Sequence, residues 1–127
     1  SRAQWEEGHT ETGSEFGMSE YDDGDYLVTF VDGNIQYIEP SIDELSIEAG
    51  RNIAEGLLPD DRQLVETYVP EQMDFLTVDL YLSEGLKDRF SSDWFIGGDP
   101  GSFTVVYGDD DDDGQIERIT IATGNNP

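Results

Sequence analysis

The chain contains no cysteine, one lysine, one histidine and no long apolar run. The first absence excludes disulfides, thiolate metal sites and cysteine nucleophiles, and leaves the redox compartment open. The last excludes a membrane-spanning helix, which needs about 18 or more consecutive apolar residues. The basic residues number only six: Arg2, Arg51, Arg62, Lys87, Arg89 and Arg118. No basic patch can neutralise phosphate, so direct nucleic-acid binding is excluded. The single histidine, His9, lies in a polar stretch (GHTET) beside glutamates and reads as a solvent-exposed tail residue. A Ser-His-Asp mechanism or a histidine-ligated metal would have to use it, so serine-hydrolase and zinc-enzyme readings lose their ground.

What is abundant is negative charge. Thirty Asp and Glu against six bases give a formal net charge of −24 over 127 residues. In molar salt the Debye length falls to about 3 Å, so the self-repulsion of such a surface is screened. Hydrated carboxylates then keep the surface solvated, and arginine is retained where fork-like pairing is useful. This balance resembles that of proteins from extreme halophiles, haloarchaea above all, and it points to no particular family. An acidic inhibitor or DNA mimic occupying a basic partner is the alternative. A mimic would gather its carboxylates on one face, whereas here they run through every segment. A small hydrolase using carboxylates alone is a further alternative. Among thirty carboxylates some pair meets any spacing, so the pattern does not discriminate.

Residues 1–24 are rich in Gly, Ser, Thr and Glu without sustained periodicity and read as an acidic tail or tether. Trp5, Phe16 and Tyr21 are its docking points. The chain does not begin with methionine. A mature exported protein trimmed of its signal or lipid-anchor segment is expected, a trimmed fragment being the other explanation. Residues 25–127 read as one α+β domain. Asp25–Val31 and Ile35–Glu39 alternate in polarity around Asp32-Gly33-Asn34, a hairpin signature. Ser41 and Glu44 make a capping box ahead of Ile42, Leu45, Ala49, Ile53 and Leu57, one helical stripe ended by Gly56 and Pro59. A second short helix is expected from Asp60, with Leu64 and Tyr68 on its inner face. Phe75–Leu82 reads as the central strand, Ser83 as the cap of a helix over Glu84–Phe90, and Phe103–Tyr107 with Gln115–Thr123 as a second hairpin. The two hairpins share a pattern, Asp32–Ile38 against Asp113–Ile119, which raises an internal duplication. The expected order is β-β-α-α-β-α-β-β, a largely antiparallel sheet with its helices on one face.

Two loops carry candidate function. Asp109-Asp110-Asp111-Asp112-Asp113-Gly114 contains D-x-D-x-D-G, the first half of a calcium loop, with Asp109, Asp111 and Asp113 as oxygen ligands. Ile116 and Glu117 fall at the eighth and ninth positions of such a loop, but Thr120 stands where the bidentate glutamate belongs, and strands flank it. The competing reading is a solvated acidic turn. The second loop holds Trp94, Phe95, Gly97, Gly98 and Asp99. It lacks the Gly-Lys-Ser/Thr ending of a phosphate cradle, and its aspartate would repel the anion. Core anchors are the default reading of the two aromatics; exposed on a glycine-rich loop, they are instead the arrangement of a recognition surface for protein or carbohydrate. The expectation is a salt-adapted, non-catalytic binding or structural domain, exported or at the cell surface. Calcium is its one candidate cofactor; the cytoplasm of a salt-accumulating cell is the other setting.

Overall fold

The computed structural model describes every residue except Phe16, so the docking role expected of Phe16 lies outside the described residues. Its elements are α1 (Arg2–Gly8), β1 (Glu11–Glu15), β2 (Met18–Tyr21), β3 (Tyr26–Val31), β4 (Asn34–Pro40), α2 (Ile47–Glu55), β5 (Gln63–Tyr68), β6 (Leu76–Leu82), α3 (Glu84–Arg89), β7 (Ser102–Gly108) and β8 (Arg118–Thr123). The strands form one antiparallel sheet in the order β1-β2-β3-β4-β8-β7-β6-β5. It consists of two four-stranded meanders, β1–β4 and β5–β8, that meet where β4 pairs with β8. That seam is narrow, matching Tyr37 with Ala122 and Ile38 with Ile121. The α+β class and the antiparallel sheet agree with the sequence; the order of elements differs.

One row of side chains crosses the whole sheet. Ser14, Ser19, Val28, Ile38, Ile121, Val105, Asp79 and Thr67 are successive cross-strand partners. Flanking partners such as Phe103, Tyr107 and Ile119 share its face, and all three helices add to the same core through Trp5, Ala54 and Leu86. Among the described residues the reverse face carries no α-helix, and it has a smaller cluster, Leu76, Val78 and Val106. Phe75–Leu82 alternates as expected, but Leu76 and Val78 lie on this reverse face. The strand next to the edge is β6, while β7 is buried along its full length.

An aspartate in the core row must be paired, because desolvation penalises a lone charge heavily. Asp79, 2% exposed, receives Arg51 Nε at 3.0 Å and Nη2 at 2.9 Å, and Thr67 Oγ1 donates to it at 2.7 Å. The Arg51 guanidinium also lies 5.7 Å from the centre of the Tyr107 ring. Burial and the nearby Asp79 charge push the Tyr107 hydroxyl pKa well above its ordinary value. One ion pair therefore joins α2 to β5, β6 and β7.

Four local expectations are corrected. Residues 1–24 are not a tail over their described length: α1 and two strands extend the sheet. Tyr21 is fully buried, donates its hydroxyl to Glu6 at 2.8 Å, and has its pKa pushed up to about 12 by burial and that carboxylate. Trp5 meets Tyr21 and Tyr26 edge-on. Trp5 and Tyr21 thus supply apolar area that an average over the polar segment hides. The helix expected from Ser41 is α2, which starts at Ile47 with Ser46 as its cap. Leu45 is held extended by hydrogen bonds in both directions with Ile116, at 2.9 and 2.7 Å. The buried stripe rotates accordingly to Gly50 and Ala54, leaving Ile53 exposed. A Cβ on Gly50 would stand 2.3 Å from Ile116 Cδ1, so glycine permits the close approach of α2 to the sheet.

The helix expected from Asp60 is the edge strand β5 instead. Its β-branched Val65 and Thr67 suit a strand, and Asp61 caps α3 from outside, accepting from Ser83 Oγ at 2.6 Å and Gly85 N at 2.9 Å. Those hydrogen bonds hold the Asp61 carboxyl below its usual range. The helix Glu84–Arg89 and its Ser83 cap are as expected.

Removing one partner of a buried ion pair leaves the other uncompensated. Arg51→Met should therefore cost about 3 kcal/mol of stability by chemical denaturation in molar KCl, while Arg51→Met with Asp79→Leu recovers most of it. Equal losses in the single and double variants would show that the pair does not anchor α2.

Candidate functional site

The acidic turn between β7 and β8 is held by its own carboxylates. Asp109 accepts from Asp113 N at 3.1 Å and from Gly114 N at 2.9 Å. Asp113 accepts from Gln115 N at 3.0 Å. Asp110 takes both Arg118 Nη2, at 3.0 Å, and Nε, at 3.4 Å. Asp112 adopts a left-handed backbone, φ 54°. Asp109 thus closes the loop, and the carboxylates that converge are Asp111, Asp113, Glu117 and Glu44, with one oxygen from each within 4.8 Å of the others. Asp111 and Asp113 come together as ligand candidates, and Asp109 does not join them. Glu117 was visible at the ninth position of the motif. Glu44 had no local signal, because only the Leu45–Ile116 bridge brings it here.

The electrostatics of this cluster are those of crowded like charges. A hydrogen bond to Asp113 and the surrounding carboxylates raise the Glu44 pKa to about 7, while the same bond lowers that of Asp113. Burial and the neighbouring aspartates push Glu117 up as well. Its Oε2 accepts from Asp110 N at 2.8 Å, and its Oε1 is buried without a hydrogen-bond partner among the described residues. Such a set can hold either a shared proton or a hard divalent cation.

The glycine-rich loop separates its two aromatics. Trp94, 39% exposed, ends a 3-10 turn over Ser92–Trp94. It lines a hollow of about 350 Å³ on the helix-free face, with Leu76 and Val106 on the sheet beneath and Ile96, 60% exposed, beside it. Phe95, 3% exposed, belongs to the helix-side core and meets Phe90 edge-on. It is a core anchor and leaves the expected recognition set. The Trp94 carbonyl accepts from Thr123 Oγ1 at 2.7 Å, which in turn accepts from Gln36 Nε2 at 3.1 Å. Gly97 and Gly98 serve close packing: a Cβ on Gly97 would lie 2.5 Å from the Asn125 carbonyl, and one on Gly98 2.4 Å from Ser102 Oγ. Asp99 is exposed, and its carbonyl accepts from Ser102 N at 3.0 Å.

His9 is not the solvent-exposed tail residue expected. It stacks on Trp5 at 3.7 Å between ring centres, and its Nδ1 lies 2.6 Å from Asp22 Oδ2. Asp22 also accepts from Thr10 N, and these two bonds, Thr10 first, hold its carboxyl below the usual range. Sequence alone could not pair His9 with a residue across the β1–β2 hairpin.

No family model, curated protein or solved structure matches the chain.

The raised Glu44 pKa carries a sign. The folded state holds a proton there that the unfolded chain, with an ordinary value of 4.5, has already lost. Stability should therefore fall as pH rises from about 4.5 to about 7. A thermal melt in molar KCl across that range checks this, and Glu44→Gln should flatten the dependence.

Proposed function

We propose that the chain is a salt-adapted binding domain that performs no catalysis, works outside the cell, and uses the helix-free sheet face around Trp94 to hold an uncharged carbohydrate chain. The observation that carries this reading is the hollow beneath Trp94. In a chain of net charge −24 none of its lining residues is Asp or Glu. Its one cation, Arg118, is paired with Asp110. What remains is an exposed indole, an apolar floor and neutral amides and hydroxyls from Gln36, Tyr37, Thr104, Thr120 and Asn126. Flat aromatic surface with neutral hydrogen-bonding groups suits a sugar ring, and such contacts persist in molar salt where ion pairs are screened. A protein loop is the competing occupant, which the exposed Ile96 also accommodates.

The acidity supports the high-salt setting, and its spread over α1, α2, β5 and α3 supports a solvating role over a mimic's patterned face. Among the described residues no helix is long and apolar enough to cross a membrane, so attachment to a surface would rely on a lipid or a tail. The second element of the reading is a calcium ion clipping Glu44, Asp111, Asp113 and Glu117, which would join the β7–β8 turn to the segment before α2. The buried, unpartnered Glu117 Oε1 favours it. Calcium would replace the shared proton there and remove the pH dependence.

Three measurements test this. Circular dichroism should show folding improve steeply from dilute buffer to molar KCl; full stability without salt removes the halophilic reading. Micromolar calcium in molar KCl should raise the melting temperature of the native chain and not of Asp111→Asn, and no shift removes the clip. Neutral oligosaccharides should bind saturably and independently of salt, with Trp94→Ala weakening them about tenfold. Binding that ignores Trp94→Ala, or turnover of the glycan, would overturn the proposal.

A further inference from the structure

A larger cavity, about 410 Å³, opens on the opposite side of the sheet, among α1, β4, α3 and the loop after α2. Its apolar walls include Leu58, Phe90 and Phe103, and its polar lining includes Trp5, His9 and Arg89. None of the residues that line it is Asp or Glu, although the chain has thirty. The contrast with the Trp94 hollow lies in the cation. Arg118 there is neutralised by Asp110, whereas Arg89 has no carboxylate within salt-bridge distance among the described residues. Arg62 and Lys87 are likewise without such a partner among the described residues, but of these three cations only Arg89 lines this acid-free cavity.

The second observation is independent of charge. Trp5 Nε1 is buried and has no hydrogen-bond partner among the described residues. An indole N–H is a donor only, so it needs an acceptor. Native structures rarely leave such a donor unmade without a ligand or water to meet it. Trp5 is held in place by its stack on His9 and by edge contacts with Tyr21 and Tyr26. Its orientation is therefore set by packing before any ligand arrives.

From these two observations we infer that the cavity is a binding site for a small carboxylic acid with an apolar body. The carboxylate accepts from the Trp5 indole N–H and the Arg89 guanidinium, and the hydrocarbon part lies against Leu58, Phe90 and Phe103. A pocket of this volume is within the range that holds small molecules. A cationic ligand has no counter-charge here, and a neutral alcohol forms no charge-assisted bond with Arg89. The site lies on the opposite side of the sheet from the Trp94 hollow, with Gln36, Ala122 and Thr123 of the intervening strands lining both.

Octanoate in molar KCl is the probe, read by the indole N–H resonances of the ¹⁵N-labelled chain. Octanoate should shift the Trp5 resonance saturably and leave that of Trp94 in place. Octanol should bind more weakly, and octylammonium should leave Trp5 unmoved. Arg89→Gln, at an exposed position, should weaken octanoate about tenfold while the melting temperature is kept. Absence of a saturable Trp5 shift, equal binding of octanoate and octanol, or unchanged affinity in Arg89→Gln would each overturn the inference. Because oligosaccharides report on Trp94 and octanoate on Trp5, failure of one site is distinguishable from failure of the other.

Discussion

A carboxylate stands in the sheet's core row one strand in from the edge, where the row along β3, β4, β8 and β7 is aliphatic, and the position of its neighbours is arranged around that constraint. Burial of the Asp79 carboxylate there is compensated by its hydrogen bonds from Arg51 and Thr67. Arg51 must therefore reach in from α2, and Thr67 must lie beside it on β5. The position of α2 and the attachment of the edge strand both follow. Hydrophobic burial alone would let α2 slide or rotate over Ile119 and Ile116. A bidentate ion pair against one aspartate tolerates neither motion, which is the specificity that paired buried charges can supply.

The rest of the charge obeys the opposite logic. Carboxylates coat the exterior, and most have no basic partner because six cations cannot match thirty acids. Where they crowd, at Glu44, Asp111, Asp113 and Glu117, the protein relieves repulsion by sharing a proton. Where a concavity forms, on either side of the sheet, they are missing altogether from its walls. The carboxylates and the two concavities thereby occupy different surfaces of one small chain.

Elements marked by local chemistry were legible in the sequence. The Asp32-Gly33 hairpin, the Ser83-capped α3 and the final hairpin are specified by neighbours a few residues apart. The misread elements depend on distant partners. Leu64 and Tyr68 match a helical spacing as well as a strand, and β6 decides for the strand. Ser41 and Glu44 form a sound capping box on paper, yet Ile116 claims the backbone of Leu45 first. The polar composition of residues 1–24 conceals Trp5 and Tyr21, whose burial needs the β3–β4 hairpin as a floor. The site divides in the same way. Asp111, Asp113 and exposed Trp94 lie in recognisable loops, whereas Glu44 and the Trp5–His9–Asp22 group exist only once the chain is folded.

The seam between the two meanders has its own consequence. Within each half, neighbouring strands pair with chain segments close by, while β4 and β8 join residues more than eighty positions apart through two matched pairs. Short-range closures cost less entropy than long-range ones, so each half can assemble ahead of the joint between them. The molecule is in this sense two small sheets zipped along their inner edges. The joint that closes last therefore lies at the centre, between the inner strands of the two halves.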